Sequence, residues 1–226
     1  MICLALDTSG PYASVAIVEG RRVLIECSLD AGRTHSETVM PLIDRALSTL
    51  NLLPGDIDLF AAANGPGSFT GVRIGVLTVK ALAHAAGKPC AGVSTLAALN
   101  EGAGRGREVV AAMLDARRDQ VYAAAFLAGE RILADEALSV SEFLSKLPDH
   151  GDIYFTGDGA LRHAEEIVGR FGSRAALAAG YAAFPKAAAV AALAMERPES
   201  FSDYLRLEPA YLRPTQAERE RTARDV

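Results

Sequence analysis

Two stretches of this chain repeat one pattern, and the repeat constrains the fold more than any single motif. Ile2–Leu6 is a short apolar run ending at Asp7, and Val109–Leu114 is another, ending at Asp115. After the first come Ser14–Val18, a turn at Glu19-Gly20-Arg21, and Val23–Leu29. After the second come Gln120–Leu127, a turn at Ala128-Gly129-Glu130, and Arg131–Ala137. Each pair of β-rich runs around a Gly-centred turn reads as a hairpin. Asp7 maps onto Asp115 at an offset of 108, and Gly20 onto Gly129 at an offset of 109. Residue identity between the halves is low, so the repeat rests on order: strand, acid, loop, strand, glycine turn, strand. Acid and turn align together, which favours duplication over coincidence.

The elements that follow also correspond. Thr34–Leu50 reads as an amphipathic helix, with Val39, Leu42, Ile43, Ala46, Leu47 and Leu50 on one face. Thr34 and Glu37 have capping-box spacing. Pro41 inside the stretch predicts either a late start or a kink. Asp58–Ala63 is a strand feeding the glycine loop Asn64–Gly71. The second half has a shorter version: a helix at Ser139–Leu147, a strand at Asp152–Phe155, a glycine loop at Thr156–Gly159 and a helix at about 160–170. The expectation is an α/β protein of two lobes, residues 1–104 and 105–214. Its cleft would lie between two acid-tipped strands and two glycine loops. Phe184–Arg197 reads as an Ala-rich helix with Pro185 in its first turn. Asp203–Pro214 reads as extended, with Leu205–Leu212 along the core and the C-terminal part packing back on the first lobe. Residues 215–226 read as a polar tail.

The chain's 226 residues suit one large domain or two small lobes. Asp and Glu total 28 against 23 Lys and Arg, giving a net charge of −5. That balance speaks against an autonomous nucleic-acid binder, which needs cations for phosphates, so a link to RNA is expected to be indirect. Cys3, Cys27 and Cys90 are odd in number and lack CxxC spacing, so they read as thiols of a reducing cytoplasm rather than a zinc site or disulfide framework. The first residues read as a strand, not a signal peptide, and the longest apolar runs are too short to span a membrane.

Few residues are candidates for chemistry. Within Asn64–Gly75, the loop Asn64–Gly71 places three glycines between a strand and a helix, and the amides of such a loop suit an anion or phosphate. It is not a P-loop, because no Gly-Lys-Ser/Thr closes it. The alternative is a tight turn whose glycines permit close packing. Gly71, Gly75 and Val79 recur every four residues on the next helix, which is apolar nearly all round. One side fits its own sheet, and the other fits either a partner or more core. Asp7-Thr8-Ser9 lies at a strand's carboxyl end, where ligands gather in α/β sheets. It could hold hydrated Mg²⁺ and phosphate oxygens, or form an Asx turn. Asp115-Ala116-Arg117 occupies the matching place, where Arg117 could pair with Asp115 or with an anion. The four histidines form no HxxxH or HExxH pair, and no GxSxG elbow supports a triad. His35-Ser36 reads as a polar helix cap.

The segments Ala5–Ser9, Thr34–Glu37 and Gly65–Gly75 occur in that order and resemble the TsaB (YeaZ) family of bacterial tRNA threonylcarbamoyladenosine synthesis. Asp115-Ala116-Arg117 with Val121-Tyr122 resembles that family's second-lobe motif, and Pro209–Pro214 its C-terminal motif. The match runs from Ile2 to about Pro214. The resemblance implies an actin-like, sugar-kinase-type ATPase fold of two duplicated lobes, with mixed sheets and flanking helices. It also implies a largely non-catalytic paralogue of TsaD. Such proteins pair with TsaD and with the ATPase TsaE, form a homodimer when TsaD is absent, and meet tRNA only through the complex. The complex transfers a threonylcarbamoyl group from its adenylate to the adenosine beside the anticodon of tRNAs reading ANN codons. TsaD carries paired metal-ligand histidines and this chain has none, which fits a scaffold without a catalytic metal.

In that family the first-lobe helices contact TsaD. The corresponding positions here are His35, Met40, Ile43, Val72, Arg73, Gly75, Val76 and Val79. On this reading Gly75→Arg leaves a soluble monomer that no longer captures TsaD. The candidate nucleotide site, read from the acid-tipped strand ends and the glycine loop, is Asp7, Thr8, Ser9, Gly65, Gly67, Ser68, Thr70 and Asp115. ATP or ADP with Mg would lie at the TsaD interface, and the chain alone would require no cofactor. The rival reading is a stand-alone ATP-dependent kinase or a glycoprotease-like hydrolase of the same fold. ATP turnover lost on Asp7→Ala would mark the kinase.

Overall fold

A computed structural model describes residues 1–30, 32–104 and 106–213. The expected polar tail at 215–226 lies outside the described residues. The first half gives β1 (Ile2–Asp7), β2 (Ala13–Glu19), β3 (Arg22–Leu29), α1 (His35–Leu50), β4 (Leu59–Gly65), α2 (Phe69–Ala86), β5 (Cys90–Ser94) and α3 (Thr95–Gly102). The second gives β6 (Val109–Asp115), β7 (Gln120–Leu127), β8 (Glu130–Ser139), α4 (Val140–Lys146), β9 (Ile153–Thr156), α5 (Asp158–Arg162), α6 (Ala164–Phe171), β10 (Ala175–Leu177) and α7 (Ala187–Met195).

The two sheets have the same topology. Strand orders are β3-β2-β1-β4-β5 and β8-β7-β6-β9-β10. In each, the first three strands pair antiparallel, and the central one pairs parallel with the fourth. The duplication read from Asp7 and Asp115 is thus a duplication of sheet topology.

Strand alternation sorts side chains to two faces. Leu4, Leu6, Val15 and Ile17 pack on α1 and α2 through Val39, Ile43, Val72, Val76 and Val79. On the opposite face Cys3, Ala5, Ala16, Ala61 and Ala91 meet α7 through Ala187, Val190, Ala191 and Ala194. The second sheet packs Val109, Ala111 and Met113 on α4 and α6, and Val110, Ala112 and Leu114 on α3. The last helix of each half therefore covers the other half's sheet, and α3 and α7 touch each other. Small side chains on both sides of the α7 contact let helix and sheet approach closely. That accounts for the alanine richness there.

Several local expectations change. Thr34 is the N-cap of α1, but its hydroxyl bonds Ser36 Oγ at 2.9 Å and caps no backbone amide, so no capping box forms. Pro41 sits inside α1 without delaying its start. The buried face of Thr38, Val39, Ile43, Ala46 and Leu47 holds the helix, while exposed Pro41 leaves the Glu37 carbonyl to water. Pro41→Ala is expected to raise stability by about 1 kcal/mol, read as a higher urea midpoint at unchanged slope. The helix expected at 160–170 is two, α5 and α6, separated at His163. The last helix starts at Ala187 rather than Phe184, because Ser14 Oγ accepts the Ala187 amide at 3.1 Å and Glu26 Oε1 accepts that of Ala188 at 2.9 Å. Pro185 lies outside it, and Phe184 packs on Tyr12 with ring centroids 4.4 Å apart. In the C-terminal run Leu207 is buried, whereas Leu205 is exposed.

Candidate functional site

Asp7-Thr8-Ser9 leaves the carboxyl end of β1 and is covered by the glycine loop. Asp7 is 2% exposed. Its Oδ1 accepts the Ser9 amide at 3.2 Å, and the Ser9 hydroxyl lies 3.1 Å from both carboxylate oxygens. This is an Asx turn. Burial pushes the Asp7 carboxyl up to about 6, against the lowering effect of the Ser9 hydrogen bonds. Thr8 Oγ1 donates to the Gly71 carbonyl at 2.7 Å. The Ser9 carbonyl accepts the Ser68 amide at 2.7 Å.

These contacts explain the glycines. A Cβ on Gly67 would lie 2.6 Å from the Ser9 carbonyl oxygen, one on Gly71 would overlap the Thr8 carbonyl oxygen, and one on Gly75 would overlap Thr8 Oγ1. The loop and the first turns of α2 press directly on the Asp7-Thr8-Ser9 backbone. Ser68 caps α2, its Oγ accepting the Gly71 amide at 3.3 Å. Thr70 is exposed on the first turn of α2. The structure brings Asp7, Thr8, Ser9, Gly67 and Ser68 into one cluster. The Ser68 and Gly71 amides are already bonded within the chain, and the Asp7 carboxylate is sealed under Ser9. Among the described residues no three His, Cys, Asp or Glu side chains converge as a metal site.

Asp115 belongs to a second cluster at the carboxyl end of β6. Its Oδ2 pairs with the Arg162 guanidinium at 2.7 Å, and its Oδ1 accepts the Arg117 amide at 2.8 Å. Of the two partners expected for Arg117, Asp115 is met through the backbone amide and not through the guanidinium. Arg117, Arg118 and Asp119 all have positive φ, which turns both arginine side chains outward to solvent. The Asp115 amide donates to Asp158 Oδ1 at 3.0 Å. Burial, and next the nearby Asp115 charge, hold the Asp158 carboxyl above its ordinary range. Asp158 lies in the second glycine loop, whereas Arg162 carried no sequence signal, because it reaches Asp115 only through the fold.

The residues expected at a partner interface divide sharply. Ile43, Val72, Val76 and Val79 are buried among the first sheet's core side chains, and Gly75 faces Thr8. In the lone chain their burying surface is their own sheet. His35 is half-buried, its Nε2 lying 2.8 Å from the Gly10 carbonyl oxygen. Met40 remains on the outer surface at 50% exposure, and Arg73 lies there over the Phe69 ring, 5.2 Å from its centroid. Leu77, overlooked in the sequence, is 58% exposed on the outer face of α2.

A family model described as "TsaD: tRNA N6-adenosine threonylcarbamoyltransferase" matches residues 29–206. The tRNA threonylcarbamoyladenosine biosynthesis protein TsaB of Bacillus subtilis is 30% identical over 226 residues, covering 96% of both chains. The chain belongs to the TsaB family. Among solved structures, YeaZ from Pseudomonas aeruginosa superposes with a TM-score of 0.78 at 32% identity, covering 93% of this chain and 99% of that one. Component A of (R)-2-hydroxyglutaryl-CoA dehydratase from Acidaminococcus fermentans superposes at a TM-score of 0.54 and 11% identity. That likeness, at such low identity, speaks to the fold alone. The TsaB-family chain thus has the two-lobed actin-like architecture, with mixed sheets and flanking helices. No helix among the described residues is long and apolar enough to cross a membrane.

Proposed function

We propose that this chain is a subunit of the tRNA threonylcarbamoyladenosine synthesis machinery. It binds and supports a TsaD catalytic subunit in moving a threonylcarbamoyl group onto the adenosine beside the anticodon. TsaE joins the same assembly, tRNA is met through the complex, and the chain pairs with itself when TsaD is missing. The observation that carries this reading is the end-to-end match to the Bacillus subtilis protein, 96% of each chain. The site agrees with a supporting role: the amides and carboxylates a kinase would direct at ATP are here turned on neighbouring parts of the same chain.

Exposure supports a docking face on the outer surface of α1 and α2. Of the residues expected there, Met40 and Arg73 stay outside, and Leu77 joins them on the outer surface of α1 and α2. Met40→Glu with Leu77→Asp is expected to weaken capture of TsaD at least about 10-fold, as loss of an apolar hot spot does. The melting temperature should stay unchanged. Titration of the purified variant with TsaD by light scattering or calorimetry reads this, and undiminished affinity would count against the reading.

A further inference from the structure

The C-terminal run Glu208–Arg213 crosses from one lobe to the other at the ends of the central strands. Upstream it is anchored on the first lobe. The Leu207 carbonyl accepts Lys80 Nζ at 3.0 Å, and the Glu208 carbonyl accepts Asn64 Nδ2 at 3.2 Å. The Ala210 amide donates to the Asn64 carbonyl at 2.6 Å. The Tyr211 ring stacks on Phe69 with centroids 4.9 Å apart. Asn64 and Gly65 close the carboxyl end of β4, and a Cβ on Gly65 would sit 2.5 Å from the Ala210 carbonyl oxygen. The run therefore lies with its backbone directly on the glycine loop.

Its far end belongs to the second lobe. The Arg213 guanidinium donates to the Ala116 carbonyl at 3.2 Å and to Gln120 Oε1, and lies 5.6 Å from the Tyr122 ring centroid. Ala116 follows the carboxyl end of β6, and Gln120 opens the antiparallel β7, so both sit at that same end. A ligand joining the lobes of an α/β fold like this one would enter here, outside the carboxyl ends of the strands. A piece of the chain occupies the place instead.

We propose that Glu208–Arg213 is an interlobe latch, pinned along the first lobe and clasped to the second by Arg213, which keeps the mouth of the cleft shut without any ligand. The described clasp is one forked side chain on two neutral acceptors and a ring. Asp115, next to Ala116 in the chain, is already held by Arg162. Hydrogen bonds from a guanidinium to neutral oxygens are weaker than those to a carboxylate or phosphate, so this clasp is built to release. The inference does not depend on the proposed partner.

The test is a distance measured between the lobes of the full chain. Nitroxide labels go on exposed positions of α1 and α6, through Asp44→Cys and Glu166→Cys in a Cys27→Ser background, and pulsed electron-spin resonance reads their separation. The unaltered latch should give one narrow distribution. Arg213→Ala should broaden that distribution about twofold or more, as a freed hinge does, and should speed exchange of the Ala210 amide. Gln120→Ala removes one of the two acceptors from the other side, leaves the strap sequence intact, and should broaden the distribution in the same direction by a smaller factor. A distribution that stays narrow and in place in both variants, with Ala210 exchange unaltered, would overturn the latch.

Discussion

Gly75→Arg should leave the chain insoluble, and any folded fraction should have lost more than about 4 kcal/mol of stability. Gly75 lies on the buried face of α2, where even a methyl group would overlap Thr8 Oγ1. That hydroxyl is committed to the Gly71 carbonyl, so an arginine there displaces Thr8, takes from that carbonyl the bond it makes beyond the helix and forces a cation into the first core. In a chain of this length a loss of that size lowers the melting temperature by roughly 8–16 °C. The control is two positions along the same helix. Leu77→Arg replaces a side chain that is 58% exposed and should move stability by no more than about 0.5 kcal/mol. Circular dichroism melts of both variants, with the soluble yield of each, decide the matter. Equal yields and equal melts would show that α2 does not press on Thr8 as described.

That contrast shows where the sequence stops being legible. Periodicity finds α2 and its stripe of small residues, but not what the stripe approaches. Gly71 and Gly75 are as suitable for a partner helix as for the end of β1, and only the fold places Thr8 there. The strands with an acid at the tip and a glycine turn were legible, because alternation and turn chemistry are local properties. β5, α3 and β10 left too little local pattern: β5 and α3 run on from Cys90 to Gly102 with one serine as strand end and helix cap, and β10 is three residues long. The start of α7 was misplaced because its capping groups, Ser14 and Glu26, lie more than 160 residues away in the chain. Of the nucleotide-type positions, the cluster around Asp7 was legible through the strand-end rule. The pairing of Asp115 with Arg162 was not, since a salt bridge across 47 residues has no sequence period. The interface positions suffered most. An apolar all-round helix does not announce which side its own sheet takes, so the three buried valines of α2 and the exposed Leu77 could not be told apart.

Asp7→Asn should stabilise the chain by about 3 kcal/mol at pH 8 and by almost nothing below pH 4. Burial raises the folded-state carboxyl to about 6 from its ordinary value of 3.8. Between those two values the folded chain keeps a proton that the unfolded chain has released, so stability declines as pH rises through the window and levels off above about 6. Asparagine carries no charge to bury. It keeps an Oδ1 to accept the Ser9 amide, and its amide nitrogen can donate to the Ser9 hydroxyl, which lies 3.1 Å from the present Oδ2. Urea midpoints of both proteins at pH 4, 6 and 8 give the comparison, and a gain that does not grow with pH would contradict the buried, weakly ionised carboxyl. The Asx turn alone does not require the acid, because asparagine makes the same turn. A carboxylate in that position therefore lowers stability at neutral pH without improving the local geometry, the pattern seen where a group serves activity rather than fold. Capture of TsaD by the stabilised variant separates the two roles. Full capture assigns Asp7 to the turn, and weakened capture by a more stable protein assigns its charge to the assembly.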